Sequence, residues 1–244
     1  MSGTTPQGIR DEKQASAWVQ GMFGRIAGRY DLLNHVLSFN MDRMWRARTV
    51  KRVAPILADP NAKILDLCCG TGDVLLALEK YRGKPVLGAD FCHPMLVEAN
   101  RKIASRKFRT PLFEGDALAL PIANSSLDLI TIAFGFRNFS NYEKGLVELL
   151  RVLKPGGTLA ILEFSTPQNK VFASVYNWFS TTLLPRIGGV VSGSGDAYSY
   201  LQESIRKFPD AKGLKAKMEQ AGYARVEFET MTFGTVALHL GKKA

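Results

Sequence analysis

A glycine-rich turn between an apolar segment and a helical segment restricts the fold of this chain more than any other sequence feature. Apolar residues 63–67 lead into the turn Cys69-Gly70-Thr71-Gly72-Asp73, and helical periodicity begins at Val74. Because glycine has no Cβ, such a turn lets a ligand approach the backbone at the start of the helix. The segment therefore predicts a strand, a ligand-binding turn and a helix, in that order.

Alternation of strand and helix continues along most of the chain. Four further segments have the composition of buried strands: 85–89, 110–113, 127–134 and 158–162. Helical segments lie among them at 74–81, 94–105 and 142–153. This alternation predicts an α/β fold with a mainly parallel sheet and helices on both faces. Near the C-terminus a helix at 211–221 precedes two adjacent strand segments, 225–230 and 235–240, which predict an antiparallel closing pair.

The length and composition suit one compact domain. The chain has 244 residues and 46% hydrophobic content, enough for a substantial core. We expect a mobile N-terminal arm at 1–15 and a single domain at 16–244, with helices at 16–60 before the first strand. An aromatic-rich insertion at about 168–208 interrupts the alternation. Its uncharged segment 171–184 is too short to span a membrane and predicts either a buried helix or a lid.

The cysteine and histidine content argues against a disulfide-bonded protein and against a metal site, whereas the net charge leaves several partners open. The formal net charge of +10 suits a nucleic acid, an anionic membrane surface or an acidic ligand, without choosing among them. The adjacent Cys68 and Cys69 form neither a disulfide framework nor a spaced zinc site, and the three histidines lack metal-ligand spacing. The N-terminal residues lack an export signal. We therefore expect a cytoplasmic protein without a metal.

Acidic residues follow the first three predicted strands. Asp66 ends the first, Asp90 the second, and Asp116 follows the third, just before Ala117. A carboxylate after the second strand can accept hydrogen bonds from both hydroxyls of a ribose. One after the third can accept from an adenine amino group, while the Ala117 amide faces the ring. Each aspartate alone is also explained by turn chemistry, but together they form an ordered series.

The spacing of the turn separates two classes of nucleotide-binding protein. Oxidoreductases carry G-x-G-x-x-G, whereas this turn has tighter glycine spacing and an acid at the strand end. That form is typical of methyltransferases and predicts S-adenosylmethionine as the cofactor. Its usual first glycine is Cys68 here. The residues predicted to bind the cofactor are Asp66, Gly70, Gly72, Asp90, Asp116 and Ala117.

Longer segments resemble the ubiquinone/menaquinone biosynthesis C-methyltransferase family over nearly the whole chain, from Trp18 to Gly241. They are Tyr30-Asp31-Leu32-Leu33-Asn34, Arg43-Met44-Trp45, Phe134-Gly135-Phe136-Arg137-Asn138, Glu163-Phe164-Ser165-Thr166-Pro167, 198–205 and Val236-Ala237-Leu238-His239. The resemblance implies a class I S-adenosylmethionine-dependent methyltransferase fold, Rossmann-like, with a seven-stranded sheet whose last strand is antiparallel. It adds Thr71 to the predicted cofactor residues. Ala133 stands where some members have a serine.

The family's acceptor is a prenylated quinol, and C-methylation requires its ring to be electron-rich. A hydroquinol reaches that state when a neighbouring hydroxyl loses its proton. We hypothesise that Arg137 stabilises the developing oxyanion, and that Asn138 and Tyr30 orient the ring hydroxyl or a bridging water that serves as the base. Asp31 and His239 are weaker candidates for the base. The alternatives are a surface ion pair for Arg137 and a turn role for Asn138.

The resemblance favours demethylmenaquinol as the acceptor, with a polyprenyl-methoxy-benzoquinol as the alternative. A nucleic-acid methyltransferase is disfavoured because 133–138 reads Ala-Phe-Gly-Phe-Arg-Asn rather than a Pro-Pro-Tyr type motif. A non-catalytic scaffold that binds the cofactor is the alternative from another class. We expect transient contact with the cytoplasmic membrane surface and no nucleic-acid partner. A homodimer is compatible with the sequence, and the oligomeric state and prenyl length stay open.

Overall fold

The computed structural model describes residues 3–4, 6, 8–9, 11–105, 110–167 and 195–244, with the backbone alone at 195–198. Most of the insertion expected at about 168–208 lies outside these residues. In the part of the chain that the structure describes, three α-helices precede the sheet: α1 (Glu12–Ile26), α2 (Tyr30–Leu37) and α3 (Met41–Leu57). Asp11 begins α1 because its carboxylate accepts from the Gln14 amide at 2.9 Å.

The described strands form a seven-stranded sheet in the order β3-β2-β1-β4-β5-β7-β6. They are β1 (Ile64–Leu67), β2 (Leu87–Asp90), β3 (Leu112–Glu114), β4 (Leu127–Ala133), β5 (Leu153–Phe164), β6 (Tyr223–Met231) and β7 (Val236–Lys243). Strand β7 is antiparallel to both β5 and β6, whereas the pairings among β1 to β5 are parallel. The predicted mainly parallel sheet with an antiparallel last strand is confirmed. Strand order reverses at β1, which opens a crevice at the carboxyl ends of β1 and β4.

Helices cover both faces of the sheet, as predicted. They are α4 (Asp73–Arg82), α5 (His93–Ala104), α6 (Tyr142–Val152), α7 (Gly195–Lys207) and α8 (Ala211–Gln220). One core contains Leu146 and Leu149 of α6 with Met218 of α8, and the other contains Leu57 of α3 with Leu78 of α4. Among the described residues, no helix is both long and apolar enough to cross a membrane.

Most element boundaries lie within a few residues of the sequence predictions, and the two largest differences are at the start of β5 and at the start of α1. Strand β5 begins at Leu153 rather than at 158, because Leu153 pairs with Leu127 before the register shifts. The N-terminal arm was expected to be mobile through 15, yet α1 begins at Glu12 and Thr4 is buried. The Thr4 amide donates to the Phe139 carbonyl at 2.8 Å, so a hydrogen bond attaches this part of the arm to the domain.

Candidate functional site

An open cleft of about 690 Å³ lies at the crevice where the strand order reverses. Its walls come from the turn after β1, the end of β2, the loops after β3 and β4, and helices α1 and α2. The lining residues include Phe23, Tyr30, Cys68, Gly70, Asp90, Asp116, Ala117, Ala133, Phe134 and Asn138. The cleft therefore brings together predicted cofactor residues and two predicted acceptor residues, Tyr30 and Asn138.

The turn after β1 has the left-handed backbone that glycine favours. Gly70 has φ of 54° and Gly72, the N-cap of α4, has φ of 87°. Cys68 adopts φ of 53°, and a Cβ at Gly135 would lie 2.4 Å from its Cβ. Only glycine at 135 therefore fits against Cys68. Burial raises the pKa of the Cys68 thiol, which stays protonated at neutral pH.

Asp90 connects the end of β2 to the turn after β1. Its Oδ2 accepts from the Gly70 amide at 2.8 Å, and its Oδ1 accepts from the Cys92 amide at 2.9 Å. Burial raises the pKa of Asp90 to about 6, against the opposing effect of these backbone amides. Each carboxylate oxygen has a second lone pair, so Asp90 can still accept from a ligand hydroxyl at the cleft wall.

Three of the predicted cofactor residues shape the turn and are not among the residues that line the cleft. Asp66 is buried, its Oδ1 accepts from Thr131 at 2.6 Å, and burial raises its pKa to about 7. The Thr71 hydroxyl donates to Asp31 at 2.5 Å and accepts from Lys102 at 3.1 Å. Gly72 caps α4. These three residues set the course of the backbone in the turn, and none of them presents a polar side-chain atom among the groups that line the cleft.

The loop after β3 supplies the remaining predicted cofactor positions. Asp116 and Ala117 both line the cleft, and Asp116 Oδ1 accepts from the Leu118 amide at 2.9 Å. This bond closes a turn of the type that aspartate favours, and it leaves Oδ2 available. Ala117 is buried in the wall of the cleft.

Arg137 is buried and is not among the residues that line the cleft. Its Nη1 donates to Glu163 Oε1 at 3.0 Å and also to the Phe134 carbonyl. Its guanidinium carbon lies 5.3 Å from the centre of the Phe164 ring. The Arg137 side chain is 5% exposed and that of Glu163 is 1% exposed, so this is a buried ion pair and not a surface one.

Sequence reasoning assigned no role to Glu163 or Tyr200, although both lie in segments that carried the resemblance. Glu163 is an acid inside the apolar strand β5, and a charge in that setting indicates a buried partner. Tyr200 donates its hydroxyl to Asn138 Oδ1 at 3.0 Å. Burial raises the pKa of Tyr30, against the opposing effects of Asn34 and of the Arg137 charge. Arg137 therefore acts electrostatically on a residue of the cleft wall without lining the cleft.

Neither weaker candidate for the base lines the cleft. Asp31 is held by Thr71 and by an ion pair with Lys102. His239 is 1% exposed, its Nε2 donates to the Ala211 carbonyl at 2.8 Å, and its ring packs against Phe228. Burial lowers the pKa of His239 to about 4, so the ring is neutral at physiological pH.

We predict that His239→Gln changes stability and not the chemical step. A glutamine amide can replace the donor to the Ala211 carbonyl, but it packs less well against Phe228. The expected result is a lower unfolding temperature with an unchanged rate of methyl transfer per folded molecule, measured by thermal unfolding and single-turnover assays. A loss of rate larger than about tenfold would return His239 to the candidates for the base.

Three groups suited to metal ligation meet beside α3: His35, Asp42 and Asp73. Arg46 Nη1 lies 2.8 Å from Asp42 and 2.6 Å from Asp73, so both carboxylates are already paired with a cation. The expectation of no metal stays a prediction.

We predict that acid weakens cofactor binding through Asp90. In the predicted site ribose hydroxyls donate to the ionised carboxylate, so binding should lower the Asp90 pKa below its value of about 6 in the free protein. The dissociation constant for S-adenosylhomocysteine should therefore rise by up to about tenfold per pH unit below pH 6, and stay level above it. Calorimetry across this range checks the result, with Asp90→Asn as a control expected to show no such slope. Equal slopes in both proteins would contradict the assignment.

Comparison with known proteins decides the family. Residues 8–243 match the model of the ubiE/COQ5 methyltransferase family. The chain belongs to this family. Demethylmenaquinone methyltransferase of Thermus thermophilus is 48% identical over 223 residues, which cover 91% of this chain and 100% of that protein. Ubiquinone/menaquinone biosynthesis C-methyltransferase UbiE of Shewanella pealeana is 39% identical over 239 residues, covering 96% and 94%.

Solved structures with low sequence identity share the fold. A SAM-dependent methyltransferase from Thermotoga maritima aligns with a TM-score of 0.64 at 16% identity, covering 92% of this chain and 99% of that one. One from Aquifex aeolicus aligns with a TM-score of 0.54 at 20% identity, covering 79% and 88%. The predicted class I methyltransferase fold is confirmed.

As a member of the ubiE/COQ5 family, the protein is an S-adenosylmethionine-dependent methyltransferase. The residues present suit this methyl donor. The Asp90 carboxylate lines the cleft at the end of β2, where an acceptor for ribose hydroxyls was predicted, and Asp116 and Ala117 line it from the loop after β3. If a Cβ is built at Gly70, the nearest atom outside the neighbouring residues is Tyr30 Cε1 at 3.9 Å. There is therefore room for a ligand in front of the turn.

Proposed function

We propose that this protein methylates a ring carbon of a prenylated quinol, with demethylmenaquinol as the acceptor. The observation that carries the proposal is that a donor-side carboxylate, Asp90, and two acceptor-side groups, Asn138 and Tyr30, line one cleft. The names of the Thermus and Shewanella relatives support the same acceptor class. Methylation of a polyprenyl-methoxy-benzoquinol is the second candidate, because the name of the Shewanella relative includes ubiquinone.

On the donor side, the protein binds and orients the donor. Bound S-adenosylmethionine supplies a methyl group already activated by its sulfonium, so the chain needs no nucleophile of its own. Asp90 accepts from the ribose, Asp116 and the Ala117 amide hold the adenine, and the turn at Gly70 provides the floor. Most of the acceleration then comes from holding the methyl and the acceptor carbon about 3–3.5 Å apart and in line.

On the acceptor side, the protein stabilises the ionised quinol. The Asn138 carboxamide donates to the ring oxygen, and Tyr30 orients the ring or a bridging water that takes the proton. Arg137 contributes a positive charge from behind the wall, where Glu163 holds it. That charge favours the phenolate over the neutral phenol, and the burial of Arg137 limits its screening by water.

One assay tests the acceptor class. The pure protein is incubated with methyl-labelled S-adenosylmethionine and, separately, reduced demethylmenaquinone, reduced demethyl-benzoquinol and bulk RNA. The proposal requires label in the naphthoquinol product, and faster labelling of the benzoquinol would favour the second candidate. Label in RNA alone would overturn the acceptor assignment. Donor binding without any methyl transfer would favour a scaffold.

We also propose a cytoplasmic location with transient contact at the membrane surface, where a prenylated quinol resides. Leu32, Val36 and Met44 on α2 and α3 are exposed apolar side chains, and the net charge of +10 favours anionic lipid. Co-sedimentation with anionic liposomes should show binding at low salt that falls at high salt. Negligible binding at both salt concentrations would remove the membrane contact and leave the proposed reaction intact.

A further inference from the structure

Two hydroxyl groups connect the N-terminal arm to Asn138. The Tyr200 hydroxyl donates to Asn138 Oδ1 at 3.0 Å, and Thr4 Oγ1 lies 2.9 Å from the same hydroxyl. A carboxamide oxygen only accepts, so the single phenolic proton goes to Asn138. Thr4 must then donate to Tyr200. The hydrogen bonds therefore run from Thr4 to Tyr200 and from Tyr200 to Asn138, because Asn138 Oδ1 can only accept.

This direction decides which end of the Asn138 amide remains for a ligand. With Oδ1 held by Tyr200, the nitrogen Nδ2 has a 3.5 Å contact with the Phe134 carbonyl and keeps a second hydrogen. Rotating the amide by half a turn would instead place Oδ1 3.5 Å from the Phe134 carbonyl oxygen, so that two acceptors would face each other without a proton between them. The cleft therefore receives a hydrogen-bond donor from Asn138 rather than an acceptor.

The surroundings of Tyr200 keep this arrangement fixed. Tyr200 is 5% exposed, and its ring packs against Trp18 at 5.1 Å and against Val19 and Met22 of α1. Burial raises the pKa of Tyr200 to about 12, so the phenol keeps its proton at neutral pH.

The part of the N-terminal arm that carries Thr4 packs closely against the loop that contains Ser140. Thr4 is 4% exposed, and a Cβ at Gly3 would lie 2.2 Å from the Ser140 carbonyl. Glycine at position 3 is therefore what lets Thr4 reach Tyr200. The arm and α7, which are far apart in sequence, meet over the acceptor end of the cleft.

We propose that Tyr200 is a positioning residue for methyl transfer, which presents the N–H of Asn138 to the acceptor oxygen and is itself oriented by Thr4. The inference rests on the proposed function, in which Asn138 donates to that oxygen. Tyr200 does not touch the reacting atoms. Its loss should lower the rate of the chemical step and leave ligand binding nearly unchanged.

A double-mutant cycle with Tyr200→Phe and Asn138→Ala tests the coupling. Tyr200→Phe should lower kcat about tenfold, because a hydrogen bond that orients a donor toward a developing charge is lost. The KM for the quinol and the affinity for S-adenosylhomocysteine should change less than about twofold if only the transition state is affected. In the Asn138→Ala background, Tyr200→Phe should cause no further loss of kcat. Thr4→Val should reproduce part of the loss, and Thr4→Ser should retain the wild-type rate.

A matched control removes a buried tyrosine hydroxyl elsewhere. The Tyr223 hydroxyl donates to the Leu146 carbonyl at 3.1 Å, so Tyr223→Phe should leave kcat unchanged. Thermal unfolding confirms that every variant is folded. The inference is overturned if Tyr200→Phe leaves kcat unchanged, or lowers it by the same factor with and without Asn138. Absence of turnover of any quinol by the wild type would instead overturn the proposed function, and this inference with it.

Discussion

Glu163→Ala should lower the free energy of unfolding by about 3–5 kcal/mol, because it leaves a buried guanidinium without its counter-ion. The side chains of Arg137 and Glu163 are 5% and 1% exposed, and Glu163 Oε2 also accepts from the Arg137 amide at 3.2 Å. The substitution thus removes the negative partner of the guanidinium and, with it, the side-chain acceptor of the Arg137 backbone amide. Denaturation with urea measures the change, and the loop from Phe134 to Asn138 should lose its order first.

An exposed ion pair serves as a control that separates the effect of burial on stability from the effect of losing a charge. Lys215 and Glu219 form such a pair on α8 at 3.6 Å, and Glu219→Ala should change stability little because water screens both groups. The double variant Arg137→Met with Glu163→Leu should be more stable than Glu163→Ala, since no charge is left buried. Its methyl transfer should nevertheless be slow, because the positive charge behind the acceptor is gone. Equal stability of Glu163→Ala and Glu219→Ala would contradict this account.

Asp90→Ala should weaken the binding of S-adenosylhomocysteine by at least about a hundredfold, because hydrogen bonds to an ionised carboxylate contribute about 1.5–3 kcal/mol each. The variant loses the acceptor for the ribose hydroxyls. It also loses the acceptors for the Gly70 and Cys92 amides, which hold the turn after β1 against the end of β2. Calorimetry measures the affinity, and circular dichroism shows whether the fold survives.

Glu114→Ala is the matched control for that experiment. Glu114 is paired with Asp90 in the register of β2 and β3, but its side chain is exposed and lies beside His93. Removing it should leave the affinity nearly unchanged. Asp90→Asn should fall between the two variants, since an amide keeps one acceptor oxygen but loses the charge. A similar affinity for Asp90→Ala and Glu114→Ala would show that Asp90 does not bind the ribose.

Local sequence signals were sufficient for the fold, and they indicated which loops would meet at the cleft. Strand and helix periodicity predicted the alternating elements, and the glycine spacing with Asp90 and Asp116 predicted the cofactor loops. The elements were predictable because each depends on one segment, and the loops meet because parallel strands bring their carboxyl ends to the same edge of the sheet. The cofactor roles of Asp90 and Asp116 stay predictions. The resemblance supplied the family, which the comparisons confirmed.

The acceptor side depended on contacts between segments far apart in the chain, and only the tertiary structure decided them. Nothing in the segment 134–138 says that Arg137 is buried on Glu163 rather than turned to the ring, because the partner is on β5. Nothing near Asn138 predicts that Tyr200 and Thr4 set the direction of its amide. Sequence determines which side chains a loop carries, whereas their orientation follows from the lowest-energy pairing of buried charges and donors across the assembled fold.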